Sequence, residues 1–162
     1  SNNYHSNLLI ETNEQKKLLV DCGSDARFSL HELGYSYKDI HAVYISHLHA
    51  DHVGGLEWLA FTTKFDLTCK KPLLFISEKL TNDIWKKVLS GGLSSLKNEK
   101  AKLSTYFNIR EFKELSFFTW RRIKFQTIKT IHFYSGNNLM PSYGLFFKLN
   151  NKYILYTADT QY

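Results

Sequence analysis

The stretch Ser46-His47-Leu48-His49-Ala50-Asp51-His52 sets three of the chain's seven histidines and one aspartate within six positions. Imidazole and carboxylate are the ligands that zinc, iron and manganese accept. In an extended loop, residues two apart point the same way, so His47 and His49 can grip one ion. Asp51 and His52 fall where the chain turns into a helix and can face a second ion beside it. The competing reading is a histidine-rich surface loop with Asp51 as a helix cap. The flanks favour the metal: His41–Ser46 (HAVYIS) reads as a short buried strand, and Val53, Leu56, Leu59 and Ala60 repeat at helical spacing. The helix N-terminus at Val53-Gly54-Gly55 adds a positive dipole end suited to an anionic substrate, and Gly54-Gly55 let the substrate or the metal loop approach the backbone closely.

Upstream of the motif, Asn7–Ile10 and Lys17–Cys22 read as strands, Asp25–Leu33 as a helix stopped by Gly34, and Ser36–Ile40 as a short helical turn. Downstream, the spacing predicts a strand over Leu73–Ser77 and a helix over Glu78–Leu89 closed by Gly91-Gly92. Ser94–Thr105 reads as a polar loop or lid. Strands are then expected over Phe107–Lys113, Phe117–Trp120, Arg122–Phe133, Tyr143–Asn150 and Lys152–Ala158, with Asn150-Asn151 as a hairpin turn and Met140-Pro141-Ser142 as a loop near the metal face, its hydroxyl available to substrate. Mixed strands and helices without strict alternation imply sheets covered by helices, an α+β arrangement.

With 162 residues, 43% apolar and 22% charged, the chain fits one globular domain over 1–162 and is neither disordered nor collagen-like. No apolar run nears the ~20 residues of a membrane span, and the polar opening Ser1–Asn7 is unlike a signal peptide. Two cysteines, Cys22 and Cys69, are too few for a disulfide scaffold and suit a reducing cytoplasm. The net charge of +6 is unevenly spread: residues 1–60 hold four basic and eight acidic side chains, residues 61–162 seventeen and seven. Such asymmetry permits a polyanionic partner such as nucleic acid, although a lysine-rich solvated surface is the simpler reading. A homodimer is compatible with this composition.

The H-x-H-x-D-H motif after a strand resembles the signature of the metallo-β-lactamase superfamily. Further segments resemble its other motifs: Leu18–Gly23 (LLVDCG) the first, His132 at the end of a long strand the third, and Tyr156-Thr157-Ala158-Asp159-Thr160 the fourth. The resemblance implies an αββα sandwich with a one- or two-metal site. On that basis His47, His49 and His132 hold the first ion, Asp51 and His52 the second, and Asp159 bridges the two. Asp21 orients a ligand from behind, and Asp51 also orients the nucleophile. Two Zn²⁺ are expected, with Mn²⁺ or Fe²⁺ as alternatives. The family's fifth motif supplies a further histidine to the second metal, whereas no histidine follows His132 here. The chain is therefore expected to be a fragment, incomplete at both termini.

Within the superfamily the pattern is most similar to ribonuclease Z and its small relatives. The implied activity is hydrolysis of a phosphodiester by a metal-activated hydroxide. A glyoxalase II- or lactonase-like hydrolase of thioesters or lactones is the alternative enzyme, and a non-catalytic metal-binding protein is a third reading. The remaining histidines, His5, His31 and His41, read as surface or packing residues, and Cys22 as an inert buried thiol. Trp58 and Trp85 read as core. The stretch Phe117–Arg122 reads as a strand with one buried face and one basic one, or as a nucleic-acid platform.

Overall fold

The computed structural model describes residues 4–5, 7–135 and 138–161, so that residues 1–3 and 6 of the polar opening lie outside it. Its strands are β1 (Leu8–Glu11), β2 (Lys17–Val20), β3 (Ile40–Ile45), β4 (Leu73–Ser77), β5 (Asn108–Phe112), β6 (Phe117–Trp120), β7 (Ile123–Ser135), β8 (Asn138–Leu149) and β9 (Lys152–Tyr156). They form a five-stranded sheet in the order β1-β2-β3-β4-β5 and a four-stranded sheet in the order β6-β7-β8-β9. In the first sheet β2 to β5 run parallel and β1 antiparallel. The second is wholly antiparallel.

The division follows the sequence. Parallel strands are covered on both faces and so need near-continuous apolar runs; Leu18-Leu19-Val20, Ala42–Ile45 and Leu74-Phe75-Ile76 are all buried. The antiparallel strands alternate instead. Within Phe117–Trp120, Phe118 turns inward and stacks on Tyr44, Phe75 and Phe125, whereas Phe117 is exposed under the Lys124 ammonium. These stacks, with the Tyr44 hydroxyl donating to the Tyr143 carbonyl at 2.9 Å, join the two sheets face to face.

The helices are α1 (Ala26–Glu32), α2 (Ala50–Val53), α3 (Leu56–Phe65), α4 (Glu78–Asp83), α5 (Ser90–Leu93) and α6 (Leu103–Tyr106), with a π-helical stretch, Ile84–Leu89, between α4 and α5. All come from the segment that builds the first sheet. The helix begun at Glu78 does not stop at Gly91-Gly92 as the sequence suggested: it runs on to Leu93, with Gly92 against the Glu57 carboxylate of α3. The segment Ser94–Thr105 is an exposed loop over most of its first half, as expected, whereas its end packs down, with Ala101, Leu103 and Thr105 buried and α6 closing it. Met140-Pro141-Ser142 is strand rather than loop: Pro141 pairs with Ile131, beside a register shift that lets β7 bend. No helix of the described residues is long and apolar enough to cross a membrane.

Leu59, fully buried in α3, gives a direct test of this core. Leu59→Ala is expected to lower unfolding stability by ~2–5 kcal/mol through lost burial and a cavity, read as a fall in the urea midpoint with unchanged slope.

Candidate metal centre

Strand polarity places the chemistry. Asp21 follows β2 and His47 follows β3, so both stand at the carboxyl ends of parallel strands, where open α/β sheets form their ligand crevice. From the second sheet, β7 delivers His132, and the segment after β9 delivers Asp159. The Asp159 carbonyl accepts from the Thr130 and Ser142 hydroxyls, and the Gln161 amide donates to the Ile131 carbonyl, which seats that segment on the hairpin. Ser142 is buried, so its hydroxyl positions Asp159 instead of facing substrate as its sequence neighbourhood had suggested.

All seven residues singled out in the sequence come together. His47 Nε2 lies 3.1 Å from His49 Nδ1, which lies 3.0 Å from His132 Nε2. Asp159 Oδ2 stands 3.9 Å from His47 Nε2 and 3.5 Å from His132 Nε2. Its other oxygen, Oδ1, faces away, 3.3 Å from His52 Nε2, which is 3.5 Å from Asp51 Oδ2. Two groups that could hold a metal result: His47, His49, His132 and Asp159, and Asp51, His52 and Asp159.

The residues fit such ions by geometry and by protonation. Zn–N bonds of ~2.0–2.1 Å in a tetrahedron set neighbouring nitrogens about 3.4 Å apart, close to the separations here. Burial, then the neighbouring His52, push His47 down to about 3, against the pull of Asp21. His47 is thus neutral near pH 7, with a lone pair for a metal.

Behind these histidines sits Asp21, fully buried and held at φ 61°. Its Oδ1 accepts the Ser46 amide at 2.8 Å. Its Oδ2 accepts the Ser46 hydroxyl at 2.7 Å and the Tyr156 hydroxyl at 2.6 Å, and lies 2.8 Å from His52 Nδ1. Burial opposes protonation of His52, yet the bond and charge of Asp21, with Asp159 and Asp51, outweigh it and raise the imidazole overall. With Nδ1 engaged by Asp21, Nε2 is aimed at Asp51 and Asp159. Ser46 and Tyr156 had no role in the sequence reading, although each lies inside a quoted motif.

The loop after β2 and the metal loop lock through backbone. The Cys22 amide donates to the His52 carbonyl at 2.7 Å, and the Gly55 amide to the Cys22 carbonyl at 2.9 Å. A Cβ on Gly23 would stand 2.2 Å from the Asp51 carbonyl oxygen, and one on Gly55 2.3 Å from that of Gly23. Glycine is required at both. Cys22 is buried beside them, its thiol held above the ordinary range by burial and then by Asp21, so it is inert at neutral pH. His5, His31 and His41 stand outside the centre: His5 pairs with Asp25, His31 lies exposed on α1, and His41 meets Lys16.

A family model described as anti-Pycsar protein Apyc1 matches residues 1–162. The anti-Pycsar protein Apyc1 of Paenibacillus sp. (strain J14) is 41% identical over 143 residues, 88% of this chain and 55% of its own. The chain spans about half the length of the curated relatives it matches. Among solved structures, the metallo-β-lactamase fold protein YhfI of Bacillus subtilis superposes with a TM-score of 0.69 at 21% identity, covering 100% of this chain and 57% of that one. Human tRNase Z, short form, gives 0.68 at 18% identity, covering 96% and 62%. The fold is therefore that of the metallo-β-lactamases.

Proposed function

The chain belongs to the Apyc1 family of anti-Pycsar proteins, and from that membership and the centre's geometry we propose a metal-dependent phosphodiesterase whose substrate is a small phosphodiester, a cyclic nucleotide first of all. The observation that carries the reading is Asp159, whose two oxygens face two separate histidine-bearing groups. A carboxylate so placed suits two cations a few ångströms apart, the arrangement phosphoryl chemistry uses. A tRNA substrate has weaker support: the likeness to tRNase Z is one of fold, at 18% identity, whereas the anti-Pycsar relative is 41% identical.

His47 Nε2, His49 Nδ1 and His132 Nε2 would hold one ion, Asp51 and His52 Nε2 the other, and Asp159 both. Zinc suits this mixed nitrogen and oxygen set, and manganese and iron accept it. When bound, such ions polarise a phosphoryl oxygen and lower the pKa of water toward ~7. The rest is the work of the chain. Asp51, half-exposed at the start of α2, is the carboxylate best placed to orient an attacking water and accept its proton. His52 stays fixed because Asp21 engages its other ring nitrogen. His47, fully buried, keeps solvent from that side of the centre.

The test uses the full-length protein. Cyclic nucleotides and bis(p-nitrophenyl) phosphate are expected to be cleaved by protein holding about two ions per chain. EDTA is expected to abolish turnover, and Zn²⁺ or Mn²⁺ to restore it. Thioester turnover exceeding phosphodiester turnover, or retention of full activity after metal removal, would overturn the assignment.

A further inference from the structure

The opposite end of the sandwich carries a second concavity, apart from the metal centre. β3 begins there at Ile40-His41 and ends beside His47, and six residues at about 3.3 Å each put the two ends some 17–20 Å apart. A cavity of about 420 Å³ opens between the starts of β3 and β4, the end of β6 and the turn before β2. That volume lies within the ~300–1,000 Å³ range of small-molecule pockets.

The charge of its wall is one-sided. Lys16, Lys38, Lys70, Lys71 and Arg121 line it, and none of its described lining residues is a carboxylate. Two of these cations are neutralised from behind, Lys38 by Asp66 at 2.8 Å and Arg121 by Glu14 at 3.4 Å. The other three form no ion pair among the described residues. Lys71 Nζ rests on the Ser104 carbonyl at 3.0 Å. Lys16 Nζ meets His41 Nε2 at 3.0 Å, a cation set against an imidazole instead of an acid. Burial first, and the Lys16 charge next, hold His41 below its ordinary value, so the ring is neutral and leaves the Lys16 charge uncompensated. Tyr37 and Leu73 supply an apolar part of the wall, whereas Trp120, which also lines it, is 4% exposed.

We propose that this cavity is a second ligand site, taking a small molecule that carries a phosphate group beside a flat apolar body. The phosphate is placed among Lys16, Lys70 and Lys71, whose charges no carboxylate of the described residues pairs, and the apolar part lies against Tyr37. A single carboxylate would leave most of that charge unmatched. The proposal stands whether or not the metal centre is a phosphodiesterase.

The experiment is calorimetric titration of the full-length protein, stripped of metal by EDTA, with a nucleoside 5′-monophosphate as probe. Saturable binding with a Kd below about 1 mM is expected, and inorganic phosphate should compete. Loss of a charge-assisted contact predicts an affinity about tenfold or more lower in Lys70→Glu, and likewise in Lys16→Ala. Lys70 is exposed and forms no ion pair among the described residues, so Lys70→Glu is expected to keep the fold, checked by an unchanged thermal midpoint. His49→Ala, which dismantles the metal centre, should leave this binding intact. Three results would each sink the idea: no saturable binding, binding lost in His49→Ala but kept in both lysine variants, or the uncharged nucleoside binding as well as its monophosphate.

Discussion

His49→Ala is expected to abolish tight metal binding at the first group and to lower phosphodiester turnover by roughly 10³-fold or more, since several kcal/mol of transition-state stabilisation leaves with the ion. The reason is positional. His49 Nδ1 is within 3.1 Å of the ring nitrogens of both His47 and His132, so it links the ligand supplied by the second sheet to the one following β3. Without it, three of the first group's four side chains remain, His47, His132 and Asp159. The side chain is only half-buried, so the fold should survive with a thermal midpoint close to that of the metal-free parent. Metal analysis after gel filtration, beside a steady-state assay, checks both halves. Wild-type stoichiometry in the variant would mean that the ligands lie elsewhere.

Asp21→Asn is expected to reduce metal affinity by about 10–100-fold, as losing a ligand's supporting partner commonly does, and also to destabilise the fold. The change is nearly isosteric, so packing is not the cause. Asp21 accepts the Ser46 amide on Oδ1 and the Ser46 and Tyr156 hydroxyls on Oδ2, with His52 Nδ1 at 2.8 Å from Oδ2. An amide NH₂ at the Oδ1 position would meet the Ser46 amide donor to donor, and one at the Oδ2 position would remove the acceptor that the Ser46 and Tyr156 hydroxyls share. A buried group left unsatisfied costs about 1–3 kcal/mol. Chemical denaturation of the metal-free protein gives the stability cost, and competition with a chelator gives the affinity loss. A variant that loses stability but binds metal as tightly as the parent would show that Asp21 only holds the fold together.

What the sequence disclosed depends on how local each signal was. The metal loop lies within six positions, and the strand before it is an uninterrupted apolar run, so both could be read from residue chemistry. His132 and Asp159 lie far from that loop in the chain, and no periodicity connects them to it; only likeness to a known family did. Tyr156 escaped notice because its hydroxyl meets Asp21 across 135 positions, a contact made by sheet packing alone. Pro141 argued for a loop because proline donates no ladder hydrogen bond, yet a register shift close by lets β8 run through it. Gly91-Gly92 misled in the same manner. Glycine often ends a helix, but here neighbouring contacts carry the helix through it to Leu93.

The order in which the ligands leave the ribosome follows from the same arrangement. Asp21, His47, His49, Asp51 and His52 all precede β4 and share the first sheet's end, whereas Asp159 emerges more than a hundred residues after His52. At ~5–20 residues per second of synthesis, that interval is roughly 5–20 s. For that time a nascent chain carries the first five of these side chains without Asp159. On the reading that these residues hold metal, the first group has all four of its side chains together only once the closing strands dock.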